Sequence, residues 1–131
     1  MSQAVAGIPP RLMRAWRLTE YRCAGIVIRI GRRAPDPALL QRGARTATLV
    51  TAWNPRSRRR PDGWNRRMQR RLRQLLSGFT VIEAEGRLHR WHEPMLLVGG
   101  DPRPVIRIAA RFRQRAVVVL RRGGTTRLRL V

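Results

Sequence analysis

Thr46-Ala47-Thr48-Leu49-Val50-Thr51-Ala52-Trp53, followed at once by Asn54-Pro55, is the stretch on which the fold turns. Apolar and β-branched residues fill it with almost no polar alternation, the pattern of a strand covered on both faces. Asn54-Pro55 stops it, because proline has no N–H for a ladder and restricts the residue before it. A polar, arginine-filled loop occupies 56–62. The strongest helical pattern follows over about 63–77, where Trp64, Met68, Leu72, Leu75 and Leu76 recur on one helix face. Gly78 stands where a C-cap glycine belongs.

Outward from this unit the pattern repeats. Upstream, residues 1–10 end in Pro9-Pro10 and read as a tail. Residues 11–19 read as a short helix with Leu12, Ala15, Trp16 and Leu18 on its apolar side. Tyr21–Ile30 reads as extended, with Ile26, Ile28 and Ile30 on one face and Val27 and Arg29 on the other. Gly31–Gln41 is a connection with a turn of helix after Pro37. Downstream, Phe79–Ala84 reads as a strand, Glu85–Glu93 as a loop holding Gly86 and both histidines, and Met95–Val98 as a strand. Asp101-Pro102 supplies an N-cap and a first-position proline for a helix to about Gln114, with Val105, Ile108, Ala109 and Phe112 inward. Ala116–Leu120 is an apolar strand and Gly123-Gly124 a hairpin turn. Leu128 and Leu130 alternate with Arg127 and Arg129, as in an outer strand with one wet face. The order predicts one α+β domain over 1–131. Its single sheet is mixed or mainly antiparallel, with two main helices packed on one face.

The chain has 131 residues, 43% hydrophobic and 27% charged, an ordinary globular balance. All 29 basic residues are arginine against seven acidic ones, giving a net charge of +22. That excludes an acidic solvating protein and favours an anionic partner. Cys23 is the only cysteine, so no intrachain disulfide or Cys-rich zinc site is available, and it reads as a small buried hydrophobe. No apolar run is long enough to span a bilayer. These features lead to the expectation of a cytoplasmic protein with no membrane partner.

Three constellations carry chemistry. The first is basic: Arg56, Arg58, Arg59, Arg60, Arg66, Arg67, Arg70, Arg71 and Arg73 face only Asp62 in their segment. On a helix Arg66, Arg70 and Arg73 make one stripe and Arg67 and Arg71 another, while Arg103, Arg107 and Arg111 make a third on the last helix. Arg58, Arg59, Arg60, Arg66, Arg67, Arg70, Arg71, Arg107 and Arg111 are the anion-binding candidates, suited to phosphate-backbone contact. No RNP motif, zinc finger or GXXG loop accompanies them. The second is polar: Asn54, Ser57, Asn65, Glu85, Glu93 and Gln114, with Trp91 beside them, stand at strand ends and loops where scaffolds place ligand-fixing groups. A structural role competes, in which Asn54 makes an Asx-turn and Asn65 or Asp62 caps the helix. The third is His89-Arg90-Trp91-His92-Glu93, whose spacing and flanking arginines do not suit a metal. No phosphate-cradling loop or dinucleotide fingerprint is present, so no cofactor is expected.

Thr51-Ala52-Trp53-Asn54-Pro55-Arg56-Ser57 resembles the threonine-alanine-aromatic-asparagine-proline-x-serine motif of the bacterial domain-of-unknown-function family 3293. Tyr21, Asn65, Gly86, Trp91-His92-Glu93-Pro94 and Phe112-Arg113-Gln114 follow that family's order. The resemblance spans about 18–131. It implies a small bacterial domain without an established activity, cofactor or substrate. Departures from the pattern, such as Arg58-Arg59-Arg60 and Arg115, run toward positive charge. The leading expectation is a non-catalytic module whose arginine face meets nucleic acid or another polyanion. The alternative is a small-ligand or enzymatic site built from Asn54, Asn65, Glu93 and Gln114, which requires those side chains to converge on one cleft.

Overall fold

The computed structural model describes residues 7–131; of the tail expected over 1–10, the first six residues lie outside the described part. Residues Thr46–Val50 form strand β3, and successive side chains along it enter two different cores, as expected for a strand covered on both sides. Ala47 and Leu49 join one cluster and Val50 the other. The remaining elements, in chain order, are α1 (Pro10–Leu18), β1 (Glu20–Cys23), β2 (Ile26–Ile28) and α2 (Ala38–Gln41), all ahead of β3. After it come α3 (Asp62–Leu75), β4 (Val81–Leu88), β5 (Trp91–Gly99), α4 (Pro102–Arg111), β6 (Ala116–Arg121) and β7 (Arg127–Leu130). The seven strands make one sheet in the order β2-β1-β4-β5-β3-β6-β7. Every neighbouring pair is antiparallel, which resolves the mixed-or-antiparallel expectation. The architecture is α+β.

One face of the sheet packs Val50, Leu96, Val98 and Val117 with Leu72 of α3, Leu76 at that helix's C-cap, and Val105 and Ala109 of α4. The other packs Leu49, Leu97 and Leu120 with Tyr21, Cys23 and Ile28 of the first hairpin and Leu39 and Leu40 of α2. For the sheet's first hairpin to share this core with β6, the sheet must curl. Backbone bonds from Gly31 to Thr126, from Thr126 to Arg32 and from Ala34 to Gly124 stitch the exit of β2 to the β6–β7 turn. Helix α1 lies at the concave side. Burying each full aliphatic side chain here is worth about 1.5–3 kcal/mol, so the two clusters dominate the stability.

Four local expectations change. Tyr21–Ile30 is not one strand but the β1–β2 hairpin, turned at Ala24-Gly25, both at positive φ (50° and 79°). Glu85–Glu93 is not a loop: β4 and β5 run through it and only His89-Arg90 turn, with His89 at φ 54°. Helix α3 ends without a glycine cap, since Gly78 is not left-handed and the Leu76 N–H bonds back to the helix carbonyls. Neither Asn65 nor Asp62 caps α3; its N-cap is Pro61, with no side-chain bond. Asp101 does cap α4, accepting from the Arg103 N–H at 3.0 Å.

Candidate functional site

Beyond Val50 the chain leaves the ladder, and Asn54-Pro55-Arg56-Ser57 folds into a 3-10 turn with three non-glycine residues in the left-handed region. Asn54, Arg56 and Ser57 have φ of 47°, 55° and 58°. Such backbone costs energy and persists only where surrounding bonds over-determine it. Asn65, fully buried on α3, supplies those bonds. Its Nδ2 donates to Asn54 Oδ1 (2.7 Å) and to the Arg60 carbonyl (3.2 Å), and its Oδ1 accepts the Asn54 N–H (2.9 Å). Asn54 Oδ1 also accepts the Arg60 N–H at 2.9 Å. The Arg56 N–H bonds the carbonyl of Arg113, itself left-handed, at 2.8 Å. One helical turn beyond Asn65, Gln69 Oε1 accepts the Ala52 N–H (2.9 Å), while its Nε2 donates to the Pro94 carbonyl (3.3 Å). Thr51 Oγ1 also reaches that carbonyl at 2.8 Å. Gln114 Nε2 ties the Trp53 carbonyl at 3.2 Å.

This scaffold forms one wall of a pocket of about 310 Å³ beneath α1. Asn54, Ser57, Trp91, Glu93 and Gln114 line it together with Trp16, Tyr21, Thr51 and Trp53. Five of the seven polar-site candidates therefore share one cleft. Asn65 stands behind the wall and holds the loop rather than facing the cavity. Glu85 lies outside, beside Arg87 at 3.9 Å, because it neighbours the inward-facing Gly86 and alternation points it outward.

The floor of the pocket is a row across three strands. Tyr21 pairs with Gly86, and Gly86 with Glu93. A Cβ on Gly86 would stand 3.4 Å from Met95 Sδ and 3.5 Å from both Thr19 Cγ2 and the Tyr21 ring. Glycine thus lets the Tyr21 ring, Met95 and Thr19 close over the strand beside Glu93. Glu93 is 9% exposed and makes no hydrogen bond among the described residues. Burial alone pushes its carboxyl up to about 8, so near neutral pH it is mostly protonated. Burial, and then the nearby Glu93, push the Tyr21 phenol upward as well.

The arginines divide between two other grooves. Arg66 and Arg70 line one with Arg73, Glu83 and Glu85, and Arg73 lies 3.6 Å from Glu83. Arg60, Arg71 and Arg111 line a larger groove, of about 640 Å³, with Arg56, Arg113, Trp64, Met68 and Phe112 and no carboxylate. The Arg60 guanidinium lies 5.7 Å above the Trp64 ring. Arg58, Arg59, Arg67 and Arg107 are exposed and line neither. Among the described residues no three His, Cys, Asp or Glu side chains cluster as a metal site, and no helix is long and apolar enough to cross a membrane.

Sequence reasoning did not single out Gln69 as a site residue. Asn65 and Gln69, four apart on α3, are a polar pair beside its apolar stripe, and that spacing is the signal that marks them. Trp16, Tyr21, Thr51 and Trp53 were visible as aromatic or motif residues, but their convergence depends on the sheet's curl.

No curated protein and no solved structure matches the chain. The model of a family described as a protein of unknown function, DUF3293, matches residues 50–117, a segment that carries most of the pocket wall. That match covers more than half of the chain, which therefore belongs to the DUF3293 family.

Proposed function

We propose that the chain is a non-catalytic, single-domain binding protein of the cytoplasm, and that its site is the pocket beneath α1. One observation carries this reading: Glu93, a buried carboxyl without a hydrogen-bond partner among the described residues, faces a mainly apolar cavity to which four aromatic rings contribute. With no described residue bonding it, the carboxyl is available to bond a ligand that enters the cavity. The residues that carry the family motif surround it. Tyr21, Thr51, Trp53, Asn54, Ser57, Trp91, Glu93 and Gln114 line the wall, Gly86 sits in the floor and Asn65 braces the loop.

A thermal-shift screen of small polar aromatic fragments tests this, run on the wild type, Glu93→Gln and Trp91→Ala. Trp91 is 41% exposed at the rim, so its truncation leaves the core intact. Fragments that stabilise the wild type and lose their effect in both variants support the reading. A screen whose hits are indifferent to both variants contradicts it.

A second reading keeps the arginine face as a contact for nucleic acid or another polyanion. Its support is the groove where Arg56, Arg60, Arg71, Arg111 and Arg113 gather around Trp64 and Phe112 without a carboxylate. Guanidiniums grip phosphates bidentately, and a ring beside them offers a base a stacking surface. The test is binding of labelled RNA and duplex DNA across a salt series, with heparin as the control. A log–log slope of several units that collapses on reversing Arg60, Arg71 and Arg111 to glutamate supports it. Equal, shallow binding to every polyanion marks the charge as background.

A further inference from the structure

The proposal here rests on the pocket reading and names the class of molecule it takes. We propose that the pocket binds a small planar organic cation, its charge against the Glu93 carboxylate and its body against the rings of Trp16, Tyr21, Trp53 and Trp91.

Charge placement is the first argument. Five of the seven acidic side chains (Glu20, Asp36, Glu83, Glu85 and Asp101) lie within 4 Å of an arginine nitrogen. Glu93 does not, although 29 arginines are available and it is the most buried of the seven. Burial alone, with no arginine opposing it, raises its pKa. A carboxyl that pairs with no arginine of the described residues, at the wall of an open cavity, is left free for a cation from outside.

The walls supply the second argument. Trp16 comes from α1, Tyr21 from β1, Trp53 from the segment after β3 and Trp91 from the start of β5, so four separate parts of the chain each contribute a ring. Aromatic faces attract a cation electrostatically, most strongly where water is excluded. A neutral apolar ligand would use the rings and leave Glu93 unsatisfied. An anion can accept the proton of the neutral carboxyl but is repelled once Glu93 ionises, so its binding should weaken as pH rises.

The third argument is that nothing else in the pocket competes. Tyr21, Glu93 and Arg115 are the only titratable or charged side chains among the lining residues. Burial keeps the Tyr21 phenol neutral. Arg115 makes no ion pair with Glu93; its Nη1 donates to the Gly7 carbonyl at 3.4 Å.

A matched set of probes tests this on the full chain: benzamidine, benzamide and benzoate share one ring and carry a positive, zero and negative charge. Binding is read by calorimetry at about pH 6.5 and about pH 8.5, in wild type and Glu93→Gln. A cation favours ionised Glu93, and the ionised fraction rises about 25-fold between those conditions when the free carboxyl titrates near 8. The expected result is therefore benzamidine binding that tightens about 25-fold across that range and a weaker, pH-indifferent benzamide. The pH dependence and the preference for the cation should both disappear in Glu93→Gln. Trp91→Ala should weaken benzamidine several-fold. Benzamide or benzoate binding as well as benzamidine overturns the cation proposal while leaving the pocket as a binding site. Failure of benzamidine at millimolar concentration also overturns it, and the fragment screen then decides separately whether the pocket binds anything.

Discussion

Replacing Glu93 with glutamine should change how stability depends on pH, and the structure fixes the sign. The carboxyl ionises near 4.5 in the unfolded chain and near 8 in the folded one. Below the first value both states hold the proton and the group contributes nothing to the pH dependence. Between the two, the unfolded state releases the proton while the folded state keeps it, so stability falls as pH rises, by up to about 1.36 kcal/mol per pH unit. Above 8 both states are ionised and the loss is complete. Integrated from about pH 5 to about pH 8.5, the loss is about 4 kcal/mol, a large share of the 5–15 kcal/mol typical of a folded domain. Glutamine is nearly isosteric and does not ionise. The variant should therefore match the wild type more closely in acid and exceed it by about 4 kcal/mol more at the alkaline end. Urea denaturation of both proteins at the two pH values measures the difference directly. Parallel changes in the two proteins would refute the burial of an unpartnered carboxyl.

Other substitutions test neighbouring parts of the account. Asn65→Ala removes three hydrogen bonds from a fully buried site and leaves the left-handed loop unbraced. It should cost about 2–4 kcal/mol in urea denaturation and speed hydrogen exchange at the Asn54 and Arg60 amides. Thr48→Val replaces a buried hydroxyl that has no partner and should stabilise by about 1 kcal/mol, read as a raised denaturation midpoint. Gly86→Ala meets its neighbours at ordinary contact distance and should fold normally. Gly86→Leu pushes into the Tyr21 ring, Met95 and Thr19 beside Glu93 and should abolish fragment binding while secondary structure, read by circular dichroism, persists.

What was legible in the sequence was local. The unbroken apolar run of β3, the stripe of Leu72 and Leu76 along α3 to its C-cap and the Asp101-Pro102 cap each follow from a few adjacent residues. The alternation of Leu128 and Leu130 with arginine marked β7 as an outer strand, and it lies at the sheet edge. The β4–β5 hairpin was hidden because Gly86, Arg87 and Arg90 look like loop residues. The reason for Gly86 comes from Tyr21, far away in sequence with β2, α2, β3 and α3 in between, whose ring needs the space. Glu93 was singled out by type, but its burial depends on the inward row it shares with Gly86 and Tyr21. The arginine stripes were visible as stripes. Which carboxylates they would meet was not, since Glu83 comes within 3.6 Å of Arg73 only through the tertiary fold.

The four tryptophans report on the two candidate surfaces separately, because Trp16, Trp53 and Trp91 line the pocket and Trp64 lines the arginine groove. The most direct measurement is therefore the indole N–H NMR spectrum of the nitrogen-labelled protein, titrated with the best fragment of the screen. The account predicts that the Trp16, Trp53 and Trp91 resonances move together with one affinity while Trp64 stays in place. Movement of Trp64 alone, or of none of the four, would contradict the pocket beneath α1 as the site.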